Sequence, residues 1–312
     1  MPRITNKEAF HAWRADPSRC LPAALDIARS HGLPYDNPHL FSTGTNVVVA
    51  LDDRLVLKIF PPLLRHQFTS ERMSLSQLRG RLGVPIPEIV LEGERDQWPY
   101  LVLTRLSGTL GTQAWPILPE DQKERLLVQI GETIRDVQRV PVGALSCIEP
   151  GWSQFMSGQI EGCRARQERL GLAKKYLVGL DDILREATTL IPTGPSVILN
   201  GEYIPENFLL GCENGNWQLA GLIDFGDVMT GWGEYDLLGP SAFLAAGMPG
   251  RVASLFKGFG YSRAEINSTL KRRLMALLLL HRQSDPNRHI CIEGWQHKAS
   301  NLFELQELLW PG

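Results

Sequence analysis

The chain has 312 residues, 43% hydrophobic and 21% charged, a length that predicts one large or two medium domains. Lys+Arg 32 against Asp+Glu 34 gives a net charge of −2, which excludes a generally basic nucleic-acid-binding protein. The five cysteines are never spaced Cys-x-x-Cys, which argues for a reducing compartment and against a disulfide framework or zinc site.

The start, Met-Pro-Arg-Ile-Thr-Asn, lacks the apolar core of a signal peptide. The first forty residues predict short helices, around Phe10 and Trp13 and from Leu21 to Ile27. A strand-rich block follows. His39–Ser42 leads through Thr43-Gly44-Thr45-Asn46 to Val47–Leu51, and Asp52-Asp53 turns the chain into Leu55–Phe60. β-Branched runs broken by a polar two-residue turn predict a hairpin. Phe68, Leu75, Leu78 and Leu82 at helical spacing predict a helix from about Arg65 to Leu82. Glu88–Glu92 and Trp98–Thr104 predict two further strands. From about Pro119 the stripe Leu126, Ile130, Ile134 and Val137 predicts helix, as does most of Gln154–Leu190. Val197–Leu199 and Phe208–Leu210 predict strands, and Asn214-Gly215 a tight turn into Trp217–Ile223. From about Ser262 the chain is helical again, and its seven-residue apolar run Leu274–Leu280 is too short to span a bilayer. The order predicts an α+β protein with an N-terminal lobe, residues 1–104, and a mostly helical lobe, residues 105–312, holding a small sheet. A cytoplasmic protein is expected, with neither nucleic acid nor membrane as partner, and nothing in the sequence reports its oligomeric state.

Lys58 interrupts an apolar strand, and Glu71 falls on the apolar stripe of the following helix. A carboxylate on a core-facing stripe is costly without a partner, and Lys58, thirteen residues earlier, is the candidate. A strand lysine paired with a helix glutamate positions nucleotide phosphates in kinases. Gly44, before Lys58, lies where a phosphate-covering loop would be. The most informative segments are Asn200-Gly201-Glu202-Tyr203-Ile204-Pro205-Glu206-Asn207 and Asp224-Phe225-Gly226-Asp227. A carboxylate five residues before an asparagine, then a hairpin and Asp-Phe-Gly, matches the spacing of catalytic and metal loops. One group must orient the attacking hydroxyl and two others must hold the metal that bridges the phosphates. Between Glu186 and Gly250 there is no lysine or arginine but eight carboxylates, a field suited to a divalent cation or a cationic substrate.

At these residues the chain resembles the aminoglycoside phosphotransferase and choline kinase-like family, roughly from Leu40 to Leu280. The resemblance implies a protein-kinase-like two-lobed fold, with a small antiparallel-sheet N-lobe and a mostly helical C-lobe. It implies that Lys58 contacts the α and β phosphates of ATP, or of GTP, and that Glu71 pairs with it. It further implies that backbone groups from Thr104 to Leu106 meet the adenine, that Asn207 and Asp224 bind Mg2+, and that Glu202 is the catalytic carboxylate. Asp236 stands where the family's aspartate steadies the lower lobe. The family's loop usually begins His-Gly-Asp, whereas this chain reads Asn200-Gly201-Glu202, and no histidine lies between His66 and His281. The expected activity is transfer of the γ-phosphate to a hydroxyl of a small cationic acceptor such as an aminoglycoside antibiotic. Two alternatives stand beside it: a kinase of a neutral sugar or other hydroxylated metabolite, and a nucleotide-binding pseudokinase or interaction protein. The short segment from Asp224 to Asp236 leaves no room for the regulated activation loop of a protein kinase.

Overall fold

The computed structural model describes residues 1–192 and 194–312. Strand alternation organises the first of its two units, made of Met1–Gly80, Pro85–Ser107 and Gly221–Asp227. Helices α1 (Lys7–Arg14) and α2 (Pro17–Ser30) come first. Asn6 caps α1 by accepting from the Ala9 N–H at 2.8 Å, and Asp16 caps α2, which opens on Pro17. The strands are β1 (His39–Leu40), β2 (Val47–Ala50), β3 (Leu55–Ile59), β4 (Ile89–Arg95) and β5 (Trp98–Thr104), with α3 (Arg65–Leu78) between β3 and β4. They form one antiparallel sheet in the order β1-β2-β3-β5-β4. Val47, Val49, Leu57, Ile59, Tyr100 and Val102 share one face by the two-residue period of a strand. They pack with Phe10, Trp13, Ala24 and Ile27 of the N-terminal helices into one core. The opposite face carries Lys58, in register with Val48 and Leu101.

Helix α3 stops at Leu78, short of the expected Leu82. Arg79 takes an extended conformation and Gly80 a positive φ of 66°, which breaks the helical ladder. Gly221–Asp227 groups with the first unit although it lies far beyond residue 104, because the Leu222 N–H donates to the Pro85 carbonyl at 3.0 Å and Asp224 pairs with Lys58. The chain leaves this unit after Ser107, three residues past the end of β5.

The second unit comprises Arg81–Val84, Gly108–Ala220 and Val228–Gly312. In chain order it contains β6 (Thr109–Leu110), α4 (Gly111–Ala114), α5 (Glu120–Arg139), α6 (Trp152–Arg169), α7 (Lys174–Leu190) and β7 (Val197–Leu199). There follow β8 (Phe208–Glu213), β9 (Asn216–Leu222, its last two residues counted with the first unit), β10 (Met229–Gly231), α8 (Leu238–Pro240), α9 (Pro249–Phe259) and α10 (Ser268–Leu280), then short C-terminal helices. β6, β8 and β9 form one small sheet, and β7 pairs with β10 in another. Helices α5 and α9 meet through glycines. A Cβ on Gly258 would lie 2.1 Å from the Val128 carbonyl oxygen, and one on Gly131 would lie 2.3 Å from that of Leu255. Any side chain at either position would therefore push the helices apart. The apolar run Leu274–Leu280 at the end of α10 is buried throughout.

Candidate active site

Lys58 lies on a central strand and is 5% exposed, so it is not an edge-strand lysine. Its Nζ is 2.6 Å from Glu71 Oε2 and 3.0 Å from Asp224 Oδ1. The ion pair expected from the helix stripe is present, with Asp224 as a third member. Burial alone would lower the Lys58 pKa, but the charges of Asp224 and Glu71 outweigh it and hold the ammonium above its usual value. Burial pushes Glu71 up, to about 7, against the pull of Lys58. At Asp224 burial also pushes upward, yet Lys58 prevails and the carboxyl stays below its usual value. Where Glu71 ionises beside Asp224, one cation is shared by two carboxylates, and the surplus negative charge favours a further cation. Asp224 has a φ of 65°, a region that non-glycine residues seldom enter, and its Oδ1 accepts from the Gly226 N–H at 3.3 Å. Such backbone outliers concentrate at functional sites.

Gln67, one helical turn before Glu71, extends this cluster. Its Nε2 donates to Asp227 Oδ2 at 3.1 Å, and its Oε1 accepts from Asn46 Nδ2 at 3.0 Å. Asn46 ends the loop that carries Gly44, whose φ is 86° and whose missing Cβ would meet nothing within 4 Å. The same loop is gripped by Arg14 of α1. Arg14 Nε donates to the Asn46 carbonyl at 2.9 Å, and Nη2 donates to the carbonyls of Ser42, at 3.1 Å, and Thr43. Hydrogen bonds from a charged donor contribute about 1.5–3 kcal/mol each. Arg14→Ala is therefore expected to loosen the loop and raise the nucleotide KM about 10-fold, with a smaller effect on kcat. Arg14→Lys should fall between, because one ammonium cannot reproduce the fork. Initial rates at varied nucleotide concentration check both.

Thr104 and Leu106 stand differently. The Thr104 N–H donates to the Glu88 carbonyl at 2.9 Å, and its Oγ1 accepts from the Glu88 N–H at 2.8 Å. Thr104 thus uses its donor to close the β4–β5 pair, while Leu106 is half-buried just beyond the strand.

In the second unit, β7 delivers Asn200 to a turn at Gly201, where φ is 78°. Asp236 holds that turn: its two carboxylate oxygens accept from the Gly201 N–H at 2.8 Å and the Asn200 N–H at 3.1 Å. Burial pushes the Asp236 pKa up, to about 7, against those backbone donors. Asn200 Oδ1 accepts from the Glu202 N–H at 3.1 Å, and Asn207 Nδ2 donates to the Glu202 carbonyl at 3.0 Å. The Glu202 side chain meets Gln283, whose Nε2 donates to Oε1 at 3.2 Å. Two residues earlier, His281 Nδ1 accepts from the Gln283 N–H at 3.2 Å, so the neutral ring carries its proton on Nε2, 3.3 Å from the Gly201 carbonyl. The ring stacks on Tyr235 with centroids 4.6 Å apart. A histidine therefore does reach this loop, from the end of α10 and not from the loop itself. Spacing along the chain gave no signal for His281 or Gln283. The one available hint was a polar His-Arg-Gln run directly after the apolar end of α10.

Burial lowers the His281 pKa from 6.5 to about 3. Between those values the unfolded chain binds a proton that the folded one does not, so this group's contribution is lost as pH falls below about 6.5. Asp236, raised from 3.8 to about 7, acts with the opposite sign: it favours the folded state more as pH falls through that window. The difference between wild type and His281→Gln isolates the first effect. Unfolding free energies from urea titrations between pH 7 and pH 5 are expected to fall more steeply in the wild type, by up to about 1.4 kcal/mol per pH unit for one proton. Parallel profiles would contradict the assignment.

The carboxylates of the basic-free window find counter-ions from elsewhere in the chain. Glu186 pairs with Arg272 at 3.0 Å, Glu234 with Arg273, and Asp224 with Lys58, while Asp236 accepts from the Asn200 and Gly201 N–H groups. The concentrated field read from the sequence is thus partly neutralised. No group of three or more His, Cys, Asp or Glu able to hold a metal occurs among the described residues. Magnesium needs none, since it takes one or two protein oxygens together with phosphate and water. The Asp224 carboxylate and the Asn207 side-chain carbonyl are oxygen donors of that kind.

A β3 lysine tied to a helix glutamate, an Asp-Phe-Gly turn and a braced carboxylate loop are the parts of a phosphotransferase. The profile of the phosphotransferase enzyme family matches residues 41–262, and the chain belongs to that family. Among solved structures it is similar to the GDP complex of aminoglycoside 2'-phosphotransferase-IIIa, with a TM-score of 0.70, 18% identity, and 93% of this chain and 96% of that one covered. It is also similar to the GDP and kanamycin complex of an enzyme of the APH(2") type, with a TM-score of 0.69, 20% identity and coverages of 83% and 89%. A third, the aminoglycoside phosphotransferase APH(3")-Id from Streptomyces rimosus, has a TM-score of 0.59, 16% identity and coverages of 84% and 98%. These likenesses carry the fold, which is the protein-kinase-like one.

Proposed function

We propose that this protein transfers the γ-phosphate of ATP, or of GTP, to a hydroxyl group of a small molecule, with magnesium as the metal. The observation that carries the reading is Lys58 held between Glu71 and Asp224 at 2.6 and 3.0 Å. In this reading Lys58 contacts the nucleotide phosphates and Glu71 holds Lys58 in place. Asp224 and Asn207 supply oxygen ligands to magnesium, which when bound neutralises charge on the phosphates. The backbone at Leu106 meets the base, and the loop at Gly44 covers the phosphates. Glu202 accepts a hydrogen bond from the acceptor hydroxyl and orients it for in-line attack. Its proton need not leave early, because the transition state of phosphoryl transfer is loose and positioning supplies much of the effect. Two of the solved relatives named above are GDP complexes, one of them also with kanamycin, which supports a nucleotide donor and a small acceptor.

A pseudokinase is the competing reading, carried by Asn200 and Glu202 where the family has histidine and aspartate. Against it stands the bracing of Glu202 by Asn200, Asn207 and Gln283. Nucleotide binding tests the shared premise. ATP is expected to raise the melting temperature only when magnesium is present, and equal or absent shifts with and without the metal would count against the proposed ligands.

A further inference from the structure

A concavity within the second unit opens beside Glu202. Leu238, Phe243, Leu278 and Ile290 form apolar wall, and Glu202 and Asp285 are the two carboxylates among its described lining residues, which include no lysine or arginine. Neither carboxylate is idle. Glu202 accepts from Gln283, and Asp285 Oδ1 accepts from the Arg288 N–H at 3.3 Å as the cap of the short helix Pro286–His289. His281 and His289 also line the space, and burial lowers both pKa values, so both rings are neutral near pH 7. Phe243 is half-buried and sits with its ring centroid 5.5 Å from that of His289.

These walls discriminate among acceptors. A molecule with many ammonium groups would bring several charges to a surface that can neutralise at most two, and an unpaired charge against apolar wall is costly. A polyol could partner some hydroxyls with Gln283, Ser284 and the two histidines, but those set against Leu238, Leu278 and Ile290 would find no hydrogen bond. An apolar ring or chain with one presented hydroxyl leaves neither cost, and it removes apolar surface from water on both sides.

We infer that the acceptor is an amphipathic alcohol, its apolar body along Leu238, Phe243, Leu278 and Ile290, its reacting hydroxyl at Glu202, and no more than one ammonium group, placed by Asp285. This rests on the phosphotransferase reading above. In the reaction a bond forms between the acceptor oxygen and the γ-phosphorus. The bond from that phosphorus to the β,γ-bridging oxygen breaks, the nucleoside diphosphate leaves with the electron pair, and the hydroxyl proton passes by way of Glu202 to solvent.

The test is transfer from ATP, with magnesium, by the wild-type chain to three acceptor classes. These are kanamycin as polycation, sorbitol as neutral polyol, and two apolar alcohols: a hydroxysteroid and a hydroxylated macrolactone carrying one tertiary amine. At least one apolar alcohol is expected to show a kcat/KM 10-fold or more above the others. Phe243→Ala should raise the KM for that alcohol about 10-fold, with the nucleotide KM unchanged, and Phe243→Leu should recover most of the loss. Equal or better use of kanamycin or sorbitol overturns the inference and leaves the phosphotransferase reading standing. No transfer to any class, with nucleotide and magnesium bound, overturns both. The comparison of classes needs no variant, so a misfolded Phe243→Ala protein would not blunt it.

Discussion

Glu202→Gln is expected to lower kcat by about 10²-fold or more, within the range of general acid–base contributions, while nucleotide affinity barely changes. The amide is isosteric and can still meet Gln283, so the loop should keep its shape. What it loses is the negative charge that, in the proposed role, draws in the acceptor hydroxyl. Glu202→Asp separates charge from reach. Gln283 meets the longer side chain at 3.2 Å, and the loop around it is braced by Asn200 and Asn207. An aspartate there would fall about a methylene short of both Gln283 and the acceptor, and turnover should drop although the family's usual residue has been restored. Rising activity in Glu202→Asp would mark the glutamate as a defect and favour the pseudokinase. Steady-state and single-turnover rates on one confirmed acceptor decide between them.

Asp224→Asn carries the second large effect, and its two readouts move apart. Without nucleotide, Lys58 keeps Glu71 as its one partner, and any surplus negative charge present when Glu71 is ionised disappears, so above about pH 7 the melting temperature should hold or rise. With magnesium and ATP, the carboxylate proposed to hold the metal is gone, and nucleotide affinity is expected to fall by about 10²-fold or more. A merely structural Asp224 would give the reverse pattern: a less stable apo protein that still binds magnesium and ATP as tightly. Melting curves and calorimetric titrations with and without magnesium distinguish the two.

Which parts of this site were legible in the sequence follows from where each residue's signal lies. Lys58 and Glu71 stood out because each put a charge where the local period demanded an apolar side chain. Gln67 and Asn46 gave no such signal, although they join the same cluster. The buried face of α3 is Gln67, Ser70, Glu71, Ser74, Leu75 and Leu78, so an apolar stripe located the helix but missed half of what it buries. The helix end was misplaced for a related reason: Leu82 continued the period, while the positive φ of Gly80 had already broken it. Asn200–Asn207 and Asp224–Asp227 were legible as spacing. Their supports, Asp236, His281 and Gln283, arrive from 34 to 83 positions away in the chain when counted from Glu202 to Asp236 and from Asn200 to Gln283, a distance no local pattern reports. Charge counting failed similarly. The window without basic residues receives Lys58, Arg272 and Arg273 through folding, so its sum along the chain overstates the field in space.

Whether Glu202 and the Lys58–Glu71–Asp224 cluster serve one phosphoryl transfer is decided by following the γ-phosphate of ATP in wild type and Glu202→Gln. With saturating magnesium and ATP and a single turnover of acceptor, the wild type should place the labelled phosphate on an acceptor hydroxyl as a monoester. Glu202→Gln should bind the same nucleotide but transfer its phosphate more slowly by about 10²-fold or more. Equal rates in the two proteins, or a wild type that binds magnesium and ATP yet transfers no label to any acceptor, would contradict it.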